Sequence, residues 1–177
     1  MFWKKHKGKL IAAALVLLAL AALAAVLFWS GARPAEDGGY TCTISISCAS
    51  ILNHLELCDP EKIELVPENG WILEPVSVIF KEGESVFDVL QRTCRQKKLH
   101  MEYSDTPLYH SAYIEGIANL YEFDAGERSG WMYRVNGWFP NYGCSRYQLQ
   151  DGDVVEWVYT CELGNDVGGG YAAEGNE

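Results

Sequence analysis

Residues 129–160, SGWMYRVNGWFPNYGCSRYQLQDGDVVEWVYT, decide the fold. In residues 130–135, Trp131, Tyr133 and Val135 alternate with Met132 and Arg134; in residues 154–160, Val155, Trp157 and Tyr159 alternate with Val154, Glu156 and Val158. Successive side chains of a strand point to opposite faces, so this period of two predicts two half-buried strands. Asn136-Gly137 and Asp151-Gly152-Asp153 are turn signals. The apolar faces should cover a helix, leaving Arg134 and Glu156 pointing outward.

That helix lies upstream. Ser85 can cap it, Asp88 stands where a capping box needs its acid, and Val86, Val89, Leu90, Thr93 and Cys94 share one helical face. Arg92, Arg95, Lys97 and Lys98 crowd the C-terminal half, where cations suit the helix dipole. Residues 40–48, with Cys42, Ile44 and Ile46 on one parity, read as a strand, as do 76–80, 99–103 and 112–115. One helix against one mixed, mostly antiparallel sheet is an α+β design.

Eight aromatics crowd the deciding stretch: Trp131, Tyr133, Trp138, Phe139, Tyr142, Tyr147, Trp157 and Tyr159. Parity assigns Trp131, Tyr133, Trp157 and Tyr159 to packing. Trp138, Phe139 and Tyr142 follow the Asn136-Gly137 turn in a loop with Pro140, Asn141 and Gly143. Large exposed aromatics call for a covering partner, so this loop either binds a ligand or packs on itself.

Residues 129–160 resemble the closing half of the transcobalamin-like C-terminal domain, a family of bacterial extracytoplasmic proteins named after the last domain of transcobalamin and intrinsic factor. Residues 83–90 (GESVFDVL) resemble that family's helix entry, and residues 113–120 (YIEGIANL) its central strand and turn. The resemblance covers residues 40–163 and implies a β-grasp-like sheet. It also implies a corrinoid such as cobalamin as ligand, contacted through Trp131, Tyr133 and Trp138. The vertebrate carriers close a second, helical domain over the ligand, and about 120 residues have room for one core only. With Phe139 and Tyr142, these three are the candidate ligand-binding residues.

The chain shows no nucleophile elbow, phosphate-binding glycine loop, HExxH or EF-hand pattern, and His54, His100 and His110 stand alone. Asp151-Gly152-Asp153 reads as a turn rather than a calcium loop. The expectation is a non-catalytic protein with no required cofactor and no metal site.

Six cysteines (Cys42, Cys48, Cys58, Cys94, Cys144 and Cys161) are candidates for disulfides, with fifteen full connectivities open. Cys42 and Cys48 would lie roughly 20 Å apart on one straight strand, too far to bridge. Cys94, on the helix's buried face, is the one expected to stay a free core thiol. The parallel pairing of first and last strands that the resemblance implies suggests Cys48 with Cys161.

Residues 1–9 carry Lys4, Lys5, Lys7 and Lys9, and residues 10–29 contain no charge, Pro or Gly. Twenty helical residues span roughly 30 Å, the hydrocarbon thickness of a bilayer. The reading is a cytoplasmic basic segment (1–9), a transmembrane signal anchor or signal peptide (10–29), a linker (30–39), the domain (40–163) and a disordered Gly-rich acidic tail (164–177). The lysines stay inside, which places the domain outside the membrane or, if the segment is cleaved, secretes it.

All 24 acidic residues lie after Trp29, but only nine of the 14 basic residues lie beyond Pro34. That excess of negative charge repels nucleic acid and anionic lipid surfaces. The functional expectation is an extracytoplasmic, cell-surface ligand-binding module. The alternative is a structural or protein-interaction module of the bacterial cell envelope.

Overall fold

The computed structural model describes residues 39–106 and 111–169. The basic segment, the membrane span at 10–29 and all but the last residue of the linker lie outside the described residues. Among the described residues no helix is long and apolar enough to cross a membrane.

The described residues form a mixed α+β fold with one α-helix and two sheets. Strands β1 (Tyr40–Ser47), β2 (Trp71–Phe80), β6 (Gly130–Val135) and β7 (Val154–Thr160) form the larger sheet, in the order β2-β1-β7-β6. Its central pair, β1 and β7, is parallel, whereas β1–β2 and β6–β7 are antiparallel. Strands β3 (Met101–Thr106), β4 (Ser111–Ile117) and β5 (Leu120–Tyr121) form a second, antiparallel sheet. The single sheet expected from the sequence is therefore two. Left-handed Ala118 (φ 53°) and Asn119 (φ 64°) turn β4 back on β5, so these strands pair with each other and β3 rather than with β6.

The alternation expected in β6 and β7 is present: Trp131, Tyr133, Val135, Val155, Trp157 and Tyr159 are buried while Met132, Arg134, Glu156 and Val158 are half-buried. The inner residues of both sheets meet in one core with Ile44, Ile46, Val86, Val89, Leu90, Ile114, Ile117 and Leu120. Two polar ties join the sheets through it: the Trp131 indole N–H donates to the Leu120 carbonyl (2.9 Å) and the Tyr159 hydroxyl to the Tyr121 carbonyl (2.7 Å).

Helix α1 (Val86–Lys97) buries the face expected of it: Val86, Val89, Leu90, Thr93 and Cys94. Its capping box is formed, with the Ser85 hydroxyl accepting from the Asp88 N–H (3.2 Å) and the Asp88 carboxylate from the Ser85 N–H (2.8 Å). Ser85→Ala removes the cap and should cost about 1 kcal/mol, read as a lower urea midpoint with an unchanged slope.

Strand β2 begins five residues before the sequence suggests and runs through Pro75. Proline cannot donate to a ladder, but β2 is an edge strand with a register irregularity between the pairs Ile44–Val76 and Ile46–Leu73, where an absent N–H is tolerated. Residues 49–65, unassigned from sequence, carry three short 3₁₀ turns: Ala49–Asn53, Leu55–Leu57 and Ile63–Leu65.

Residues 164–169, read as the start of a disordered tail, fold into a strap beyond β7. The Asp166 carboxylate accepts from the Thr160 hydroxyl and the Cys161 N–H (2.7 Å), and Gly169 donates to the Gly164 carbonyl (2.7 Å). Gly164 and Gly168 supply the left-handed conformations this path requires, φ 92° and 83°. All six cysteines are free and buried in this structure. Cys48 and Cys161 do come to the same end of the parallel β1–β7 pair, each within electrostatic reach of the other and of Cys58.

Candidate functional site

The loop after β6 is held from its first turn. Asn136 (φ 53°) and Gly137 (φ 80°) are both left-handed, the conformation a two-residue hairpin turn requires, and Val135 and Trp138 exchange both backbone hydrogen bonds (2.9 and 3.0 Å). The Asn136 amide then joins this turn to the next one. It donates to Asp153 (2.8 Å) and accepts from the Val154 N–H (2.9 Å). The acids of the Asp-Gly-Asp turn are occupied in this way: Asp153 also accepts from the Gln150 N–H (2.9 Å), and Asp151 accepts from the Thr41 N–H (2.8 Å). They serve as turn carboxylates.

On this clamped turn Trp138 is 55% exposed. Its ring meets Tyr142 edge-on (6.2 Å), Tyr142 stacks on Tyr147 (6.2 Å, 16°), Tyr147 meets Tyr133 edge-on (6.5 Å) and Tyr133 lies 5.5 Å from Trp157. Five rings thus form a file from solvent into the core. The Tyr133 hydroxyl donates to the Tyr142 carbonyl (2.7 Å) and fixes the loop to the sheet. The Arg146 guanidinium lies 5.9 Å from the Tyr142 ring, close enough for a cation–π contact in an otherwise acidic domain.

The five candidate ligand-binding residues do not converge. Trp138, exposed, and Tyr142, half-buried, form an aromatic shelf. Phe139 turns to the outer face of the sheet, under the Arg134 guanidinium (5.8 Å) and against Gly169, whose missing side chain would meet its ring at 3.3 Å. Trp131 and Tyr133, each 8% exposed, lie in the core rather than on the shelf: strand parity turns both inward, where their polar atoms are bound to backbone. Their role is to support the loop. Tyr147 is the shelf residue that sequence reasoning left out of the site, and its stacking could not be inferred from spacing.

Burial governs the titratable groups under the loop. It pushes the Cys144 thiol up to about 12 and lifts the Tyr133 hydroxyl well above its usual range. Tyr147 is raised as well, first by burial and then by the Asp153 carboxylate. Cys144 is therefore a protonated packing group whose sulfur faces the Ala112 carbonyl (3.6 Å), unlike the exposed low-pKa thiolate of a nucleophile.

Residues 83–161 match the model of a family described as a domain of unknown function, DUF4430. No curated protein sequence matches the chain. Among solved structures, haptocorrin in complex with Cbi is similar with a TM-score of 0.47 and 14% identity, over 70% of this chain and 26% of that one. The chain therefore spans about a quarter of that protein's length. A protein from Ruminococcus gnavus ATCC 29149, described as a candidate metal binder, is similar with a TM-score of 0.41 and 12% identity, over 68% of this chain and 96% of that one.

Proposed function

We propose that the chain is a non-catalytic binding module outside the cell membrane, tethered or secreted through residues 10–29, with the Trp138–Tyr142–Tyr147 shelf as its working surface. The observation that carries this reading is a large aromatic, 55% exposed, on a turn fixed by hydrogen bonds on both sides. An ordered exposed tryptophan loses little freedom on binding, so it contributes most of its contact energy to affinity. The β-grasp-like reading of the fold belongs to the same proposal, supported by the parallel pairing of β1 with β7 and the helix between β2 and β3.

The ligand proposed is a large, flat, amide-rich molecule of corrinoid type, which the resemblance of residues 129–160 suggests. The shelf lines none of the cavities around Phe123, Trp71 and Glu82. Small-molecule sites are concave, so a shelf of this shape forms one side of a site and binds weakly until a second body covers the ligand. The same observation supports a second reading, in which the shelf packs directly on an envelope protein.

Calorimetric titration of the full chain with cobinamide and cobalamin distinguishes the two. Saturable binding at micromolar to millimolar ligand, weakened at least about tenfold in Trp138→Ala at a stability cost under ~0.5 kcal/mol, is the expected outcome. No heat up to about millimolar ligand, with a crosslinked complex recovered from membranes, would establish the interaction reading. No heat and no complex would end both.

A further inference from the structure

The outer face of the larger sheet carries a hollow, apart from the aromatic shelf. On β1 and β7 the register sets Ser45 beside Glu156, and on β6 and β7 it sets Arg134 beside Glu156, so the three side chains form a row across adjacent strands. Arg134 binds Glu156 through two hydrogen bonds of 2.7 Å, giving the row a fixed, electrically neutral floor. Above it is a cavity of about 330 Å³. One wall is the strap, through Asp166; the other is Trp71, at the start of β2, with Asn53 from the first 3₁₀ turn.

The polar groups facing this cavity are incompletely used. Ser45 is only 2% exposed, yet among the described residues its hydroxyl has no hydrogen-bond partner. The same holds for the Asn53 amide, the Trp71 indole N–H and Nη1 of Arg134. Ser45 is buried, Trp71 and Arg134 are half-buried and Asn53 is exposed at the rim, so the hollow offers an occupant unused donors and acceptors from its floor to its mouth.

The occupant's chemistry follows from the lining. Donors are free at Asn53, Trp71 and Arg134, acceptors are free at Asn53 and Ser45, and a hydroxyl is the group that meets both kinds. Arg134 is neutralised by Glu156, and Asp166 is occupied by Thr160 and the Cys161 N–H, so no uncompensated cation is present to hold a phosphate or carboxylate. Trp71 adds an aromatic surface with a polar tip, suited to a ring with one apolar and one hydroxylated face. The volume falls at the lower end of the ~300–1,000 Å³ of small-molecule sites.

We infer that the hollow between Trp71, the Ser45–Glu156–Arg134 row and the strap is a binding site for one or two sugar rings of a neutral saccharide.

The test is ¹H–¹⁵N correlation NMR of the full chain, in a detergent without a sugar headgroup, titrated with methyl β-glucoside, N-acetylglucosamine, maltose and N,N′-diacetylchitobiose. At least one should give saturable shifts at Ser45, Asn53, Arg134, Glu156 and the Trp71 indole, with a Kd of roughly millimolar or tighter. Asn53→Ala, at an exposed position with no partner to lose, should weaken binding about threefold or more, and Trp71→Ala about tenfold or more. Absence of shifts at these residues with all four sugars at tens of millimolar would overturn the inference. So would sugar-induced shifts confined to the Trp138 turn. A corrinoid that fails to bind leaves the result untouched, since the two sites are read at different residues.

Discussion

Trp157→Ala is expected to remove about 3–5 kcal/mol of stability and roughly 10–20 °C from the melting temperature, whereas Trp157→Phe should cost under about 1.5 kcal/mol. Trp157 is 2% exposed, sits on a central strand beside Ile46 and Tyr133, and ends the file of rings that descends from Trp138. Alanine would leave a cavity too large for a close-packed core to close. Phenylalanine keeps most of the ring, and it also deletes the indole N–H, a buried side-chain polar atom with no partner. An unsatisfied buried donor costs about 1–3 kcal/mol, so its loss offsets much of the lost area. Urea unfolding followed by circular dichroism measures both variants. A phenylalanine variant as unstable as the alanine one would mean that the indole N–H carries no penalty.

The second large effect is alkaline. Burial raises the thiols of Cys42, Cys94 and Cys161 from 9.0 to about 11 and those of Cys48 and Cys144 to about 12; the Asp153 carboxylate adds to the shift at Cys42. In the unfolded chain these thiols lose their protons near pH 9, while the folded domain holds them. The folded state therefore binds more protons above pH 9, and stability falls as pH rises. The contribution is fully present below about pH 9 and disappears through pH 11–12. Each such thiol adds up to about 1.4 kcal/mol per pH unit to the slope. With reductant present, the melting temperature should be level from pH 7 to 9, and the domain should be unfolded by about pH 11.

A melting temperature unchanged between pH 8 and 11 in reduced protein would contradict the buried-thiol arrangement. The same titration on protein made in an oxidising compartment tests the disulfide expectation, because a bridged sulfur has no proton to lose. Bridged protein should show a shallower alkaline limb and a mass lower by about two protons per pair.

Local signals of period and turn chemistry were legible wherever one face of an element meets the core. The alternation of residues 130–135 and 154–160 matches β6 and β7 residue for residue, and Ser85 with Asp88 located the start of α1. The start of β2 was hidden by Pro75, which argues against an interior strand but not against an edge strand. The second sheet was hidden because β4 and β5 meet through two non-glycine residues in the left-handed region, Ala118 and Asn119, which carry weak turn signals. Of the candidate site, parity pointed Trp131 and Tyr133 inward, and the turn signal correctly separated Trp138 from them. No spacing rule could send Phe139 to one face of the sheet and Tyr142 to the other, since loop side chains follow contacts distant in sequence.

By itself the sequence determined the strands at 130–135 and 154–160, the helix after Ser85, which of their faces are apolar, and that every acidic residue follows a basic and then apolar N-terminal stretch. Those properties depend on neighbours within a few positions. The tertiary structure alone decided that six cysteines share one core and that Tyr147 completes the aromatic shelf. It also decided that a glycine-rich end folds back as a wall beside Ser45, Glu156 and Arg134. Each of these arises from residues up to about 120 positions apart, joined by strand register and burial, and nothing in local composition encodes such closure.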